Sequence, residues 1–226
     1  MGASDRVIKQ VASVKGREED VTSRLANELT GHLLDAIKSK LGSEPKRLKG
    51  VSLQAYVTKK TSEEPGLGAD LLVALVVHDS KGQVRLAKAF LAQAKVGIVK
   101  QNKKKVQKTP IQIVARERRI LGQAKTMLDV SPDSFFFLYS DAEIRVTSAF
   151  EVVLYHKSVV DTERMGSKKL GVFFRDYFRC FIGDHRIGML CATPQDFEAF
   201  AKTHQVSRGV LFTLTADDSL DADGRP

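Results

Sequence analysis

Two apolar runs separated by a six-residue polar turn place the strongest constraint on this chain. Leu71 to Val77 is apolar without a break, and His78-Asp79-Ser80-Lys81-Gly82-Gln83 is polar. A second run then passes through Leu86, Ala89, Phe90 and Leu91 to Gln93-Ala94-Lys95. Such a pattern predicts an antiparallel hairpin, which brings its two outer ends together. Asp70 opens the first strand after Gly66-Leu67-Gly68-Ala69, and Lys95 closes the second. A carboxylate, an amide oxygen and a lysine ammonium at one strand end are suited to a divalent cation and an activated water held against a phosphate. The lysine orients that water or offsets charge developing at phosphorus.

The 226 residues fit one large domain, or one domain with a small appendage, and a hydrophobic share of 42% supports a sizeable core. Cys180 and Cys191 are too few for a disulfide framework and read as buried or partly buried thiols of a reducing compartment. The opening Met-Gly-Ala-Ser-Asp-Arg has no apolar signal-type stretch. No apolar run approaches the roughly 20 residues of a membrane helix. The expectation is a soluble cytoplasmic protein with no membrane partner.

The net charge is +9, and its location matters more than its size. Residues 95–119 hold Lys95, Lys100, Lys103, Lys104, Lys105, Lys108, Arg116, Arg118 and Arg119 against Glu117 alone. Standing alone, a basic run is as readily a solvated face. Directly behind the hairpin end, Lys100, Lys103, Lys104, Lys105, Lys108, Arg116 and Arg119 read as the phosphate-binding rim of a nucleic-acid channel. Contacts of that kind position a backbone and carry no sequence specificity.

Elsewhere, Val21, Leu25, Leu29, Leu33, Leu34, Ile37 and Leu41 form a helical stripe that Gly42 ends, so a helix is expected over about 18–41. Residues 51–57 alternate as a half-buried strand, and 58–69 form a polar loop. After a basic loop at 99–109, a helix is expected over about 110–129, with Pro110 in its first turn and Ile113, Ile120 and Met127 on one face. Phe135 to Tyr139 is a buried strand, with a shorter strand near 144–146 and an apolar segment at 149–155. Residues 157–171 read as a connector. In 172–181, aromatics interleave with arginines, which suits base stacking or, the favoured reading, an amphipathic helix that buries its rings. A helix near 195–204, a strand near 210–214 and a disordered acidic tail over 216–226 complete the chain. The fold class expected is α/β: a mixed sheet core flanked by helices over 1–156, with a smaller C-terminal α/β appendage over 157–215 for oligomerisation or partner binding.

An N-terminal helix bearing a glutamate, Asp70 at the start of one strand and Gln93-Ala94-Lys95 at the end of the next resemble the PD-(D/E)XK nuclease superfamily. The Gln-x-Lys variant resembles its Mrr-type restriction endonucleases and related defence nucleases. The resemblance covers about residues 15–150 and implies a restriction-endonuclease-like core. It implies Asp70 as the principal metal ligand, Gln93 as a neutral ligand in place of a second carboxylate, and Lys95 as the catalytic lysine. The Pro-Asp pair of the family name is absent, since Ala69 precedes Asp70. At about 100° per residue, Glu18 lies close to the Val21, Leu25 and Leu29 stripe and is the preferred helix carboxylate, with Glu19 the alternative.

A second Gln-Ala-Lys at 123–125 falls inside the second expected helix and is rejected as the metal motif. Gln123 remains a candidate supporting residue, because related nucleases often place a glutamine on this helix near the site. Glu117 falls on the apolar face of the same expected helix, which allows an approach to the sheet, and a salt bridge to a neighbouring arginine is the favoured reading. The five histidines show no metal-ligand spacing. The resemblance further implies Mg²⁺, replaceable by Mn²⁺, duplex DNA as substrate and a homodimer or higher homo-oligomer. It also implies a setting in prokaryotic antiviral defence, where a companion defence protein takes part. The alternatives are a non-catalytic nucleic-acid-binding or assembly subunit with a nuclease-like fold, and a structural protein assembling through 172–181.

Overall fold

The apolar runs pair as expected: β2 (Leu71–His78) and β3 (Val84–Val96) are antiparallel, with Leu71 opposite Ala92 and Val77 opposite Leu86. Asp79 closes the turn between them, its Oδ1 accepting from the backbone N–H groups of Lys81 and Gln83 at 3.0 and 2.8 Å. Asp79 thus serves the turn at the end of the hairpin far from Asp70. The computed structural model describes residues 48–57, 67–100, 112–140, 142–156 and 158–216, with 48–57, Lys100 and Ala216 described by backbone alone. The expected helix over 18–41, Glu18 and Glu19 within it, Lys103, Lys104, Lys105, Lys108 and the tail from 217 lie outside these residues.

Around the hairpin stand β1 (Leu48–Val57), β6 (Ser134–Tyr139), β7 (Ile144–Ser148), β9 (Ser167–Lys169) and β10 (Arg208–Ala216). Together they form a seven-stranded mixed sheet in the order β1-β10-β2-β3-β6-β7-β9. β10 is parallel to β2 and antiparallel to β1, and β6 is parallel to β3. A smaller sheet pairs β4 (Ile98–Lys100), β5 (Gln112–Arg116) and β8 (Val159–Asp161). The helices are α1 (Ile120–Val130), α2 (Ala149–Leu154), α3 (Leu170–Phe178), α4 (His185–Leu190) and α5 (Pro194–Thr203).

Side chains alternate across the sheet, and the two faces bury separate cores. Leu72, Ala74 and Val76 of β2 with Ala87, Ala89 and Leu91 of β3 meet Ile120, Ala124 and Met127 of α1, Ala149 and Val152 of α2, Ile187 of α4, and Phe197 and Phe200 of α5. On the other face, Leu71, Val73, Leu75, Phe90 and Ala92 meet Phe173, Phe174 and Tyr177 of α3. Phe90 packs edge-on to Phe173 and Tyr177 with ring centres 5.1 and 5.0 Å away. Such pairs add about 0.5–1.5 kcal/mol to the burial itself.

Two expectations need correction. The helix placed at 110–129 is a strand over 112–116 and a helix only from Ile120. Ile113 and Val114, β-branched residues, are buried in the ladder with β4 and β8, and the chain turns at Glu117 before α1 begins. The region 157–215 is no appendage, since β10 lies inside the sheet between β1 and β2 and α3 and α5 seal its two faces. The interleaved segment 172–181 does form an amphipathic helix through Phe178, and its buried Phe173, Phe174 and Tyr177 are withdrawn from base stacking. Cys191 is buried, whereas Cys180 is exposed. Among the described residues no helix is long and apolar enough to cross a membrane.

Between α3 and α4 the chain crosses the edge of β3 that β6 leaves open, because β6 begins only opposite Leu91. Ala89 and Asp184 exchange backbone hydrogen bonds there at 3.0 and 2.7 Å. Lys88, fully buried, plugs the crossing: its ammonium donates to the carbonyls of Tyr177 and of Ile182 (the latter at 3.2 Å) and lies 4.3 Å from the Tyr177 ring centre. Burial holds its pKa below the ordinary lysine value, against the opposing pull of Cys180 and Asp133. Lys88→Met leaves both carbonyls without this donor and is expected to cost about 2 kcal/mol near neutral pH. A lysine with a depressed folded pKa binds fewer protons folded than unfolded in the alkaline window below about 10.4. The contribution of Lys88 to stability therefore rises with pH through that window, and the deficit of Lys88→Met should widen. Urea unfolding of both chains across that range measures it.

Candidate functional site

Asp70 is fixed by its own peptide group. Its N–H donates to the Ala92 carbonyl at 2.9 Å, and its carbonyl accepts from Arg208 N–H at 3.0 Å and Ser207 Oγ at 3.1 Å. The residue is thus tied to β3 on one side and to the start of β10 on the other. Leu71 faces the α3 core and Leu72 the α1 core, so alternation turns Asp70 toward the α1 face. Along β3 the same rule places Gln93 and Lys95 on that face, in line with Ala87, Ala89 and Leu91.

The side chains meet as that geometry requires. Asp70 Oδ2 accepts from Gln93 Nε2 and from the Ala94 N–H, the latter at 3.1 Å. Gln93 Nε2 also donates to the Ala94 carbonyl at 3.1 Å. All three residues are buried, with 7% of Asp70, 3% of Gln93 and 3% of Lys95 exposed. The carboxamide, expected to present its carbonyl, meets Asp70 through its nitrogen, so Oε1 is the end that these bonds leave for a cation.

Lys95 donates to Glu117 Oε2 at 2.5 Å, and the Glu117 side chain is 40% exposed. An ammonium this buried needs an anion or hydrogen-bond acceptors nearby. Glu117 stands in the turn between β5 and α1, where its N–H donates to Ser158 O at 3.2 Å and its carbonyl accepts from Ile120 N–H at 3.2 Å. The arginine partner expected for Glu117 is replaced by Lys95, and its helical position by a turn. The signal that it mattered was its isolation as the one acid in a basic run. Arg116, Arg118 and Arg119 surround it and are exposed.

Gln123 extends from α1 toward the Asp70 turn. Gly68, at φ +80°, lies against it so closely that a Cβ would come within 3.1 Å of the Gln123 Cα and Cβ. The Gln123 Oε1 atom is buried with no hydrogen-bond partner among the described residues. The second Gln-Ala-Lys therefore contributes its glutamine beside the site, while its Lys125 is exposed.

This donor set fits an oxygen-ligating divalent cation: one carboxylate, a neighbouring carboxamide and a buried amide oxygen that lacks a donor. Among the described residues no group of three or more His, Cys, Asp and Glu residues is placed to hold a metal without such amide oxygens. No family model matches the chain, and no curated protein or solved structure does.

Gly68→Ala puts a Cβ at a positive φ and against the Gln123 backbone. It is expected to cost about 1–3 kcal/mol and to loosen the Asp70 turn. Urea unfolding measures the loss, and a neutral substitution would mean that the turn yields without strain.

Proposed function

We propose that the protein is a metal-dependent DNA endonuclease that hydrolyses phosphodiester bonds. The observation that carries this reading is the convergence of Asp70, Gln93 and Lys95, all buried, on one face at the open end of the β2–β3 hairpin. The connection from β3 through α1 to the parallel strand β6 fits a restriction-endonuclease-like core. Asp70 and Gln93 are the residues that would hold Mg²⁺ or Mn²⁺, a cation that there polarises a phosphate and lowers the pKa of an attacking water. Lys95, rooted in β3, presents its ammonium to the scissile phosphate or to that water and offsets charge as it develops. Arg116 and Arg119, exposed at the β5–α1 corner, and the basic run before them would grip the flanking backbone. Cutting both strands of a duplex needs two such sites, so a homodimer or higher homo-oligomer belongs to this reading. So do a cytoplasmic setting in antiviral defence and a companion protein.

The second reading is a nucleic-acid-binding or assembly subunit that keeps the fold without the chemistry. It draws on the Lys95–Glu117 pair, which already neutralises the lysine. Cleavage of plasmid and linear duplex at about 5–10 mM Mg²⁺ or Mn²⁺ separates the two. The nuclease reading expects cutting that chelator abolishes and that Asp70→Ala and Lys95→Ala each lower by about 100-fold or more. Cutting that survives both substitutions overturns the site assignment. Salt-sensitive binding without any cutting favours the second reading.

A further inference from the structure

Gln93 stands where a second carboxylate would strengthen a divalent-cation site, since one carboxylate among amide oxygens binds such an ion weakly. The β5–α1 corner brings another carboxylate to the same end and face of the sheet. Glu117 spends Oε2 on Lys95, and no described residue donates to its Oε1. Six residues on, the Gln123 oxygen is buried, without a partner among the described residues, beside the turn that carries Asp70. A buried acceptor left without a donor costs about 1–3 kcal/mol, and a cation relieves that cost. Two oxygens without a donor among the described residues, one on the acid that holds Lys95 and one beside the Asp70 turn, point to a shared ligand.

We propose that Glu117 is the carboxylate that Gln93 does not supply. Through Oε2 it holds Lys95, and through Oε1 it joins Asp70 and the Gln123 oxygen in holding a hard divalent cation. A single carboxylate, its side chain 40% exposed, thereby couples the lysine to the cation. This inference rests on the reading of Asp70 as a cation ligand. The opposing account gives Glu117 one task, to neutralise a buried ammonium, and predicts no effect on cation affinity.

Calorimetric titration of Mn²⁺ into the full chain decides between them without any cleavage assay. The variants are Asp70→Ala, Glu117→Gln and Glu117→Gln combined with Gln93→Glu. The proposal expects Asp70→Ala to lose binding and Glu117→Gln to weaken it by about tenfold or more. Restoring a carboxylate at position 93 should then recover most of that loss. Wild-type affinity in Glu117→Gln beside a loss in Asp70→Ala overturns the proposal and leaves the reading of Asp70 standing. No Mn²⁺ binding by the wild-type chain overturns both. Glu117→Gln also removes the Glu117 charge from Lys95, so the comparison is repeated in a Lys95→Met background, with folding followed by circular dichroism. There the Gln substitution should weaken Mn²⁺ by a similar factor, and equal affinities overturn the proposal.

Discussion

The peptide group of Asp70 is clamped before its side chain does any chemistry. Its N–H reaches β3 and its carbonyl reaches the start of β10, so two neighbouring strands hold one residue in register. The carboxylate, Gln93 and Lys95 inherit their positions from that clamp. A one-residue slip of β2 would turn Asp70 to the α3 face and break all of these contacts. Burial of apolar side chains on both faces makes such a slip costly, because Leu71 and Leu72 would exchange cores.

Charge is arranged around the site as deliberately as shape. Lys95 is buried and Glu117 half-exposed, so the lysine is the fixed member of the pair and the acid the one that solvent reaches. Arg116, Arg118 and Arg119 surround that acid with exposed positive charge. An anionic polymer approaching this corner meets the arginines first and the buried lysine only beyond them. On the opposite face Lys88 has the contrary role, packed under Tyr177 and bonded to carbonyls where the chain crosses the sheet edge. Two buried lysines on one strand thus divide the work, one toward the candidate site and one toward the fold.

What was legible in the sequence was local. The β2–β3 hairpin followed from its apolar runs and turn, and the meeting of Asp70 with Gln93 followed from the hairpin. The burial of Phe173, Phe174 and Tyr177 followed from helical spacing, whereas Phe181, past the end of the helix, is exposed. The position of β10 did not, because a parallel pairing of Arg208 with Leu71 joins distant segments that no local pattern connects. The strand at 112–116 was hidden because Ile113, Ile120 and Met127 fall at helical spacing although Ile113 belongs to the smaller sheet. That error also concealed Glu117, whose reach to Lys95 depends on the chain turning at the end of β5.

The account stands on cation chemistry at the open end of the hairpin. Anomalous X-ray diffraction from crystals of the full chain soaked in Mn²⁺ tests it most directly. The account predicts a peak at oxygen-ligand distance from Asp70, with the Gln93 and Gln123 carboxamides turned toward it and Lys95 still beside Glu117. A map with no peak at Asp70, and with Asp70 still closed on Gln93, would contradict it.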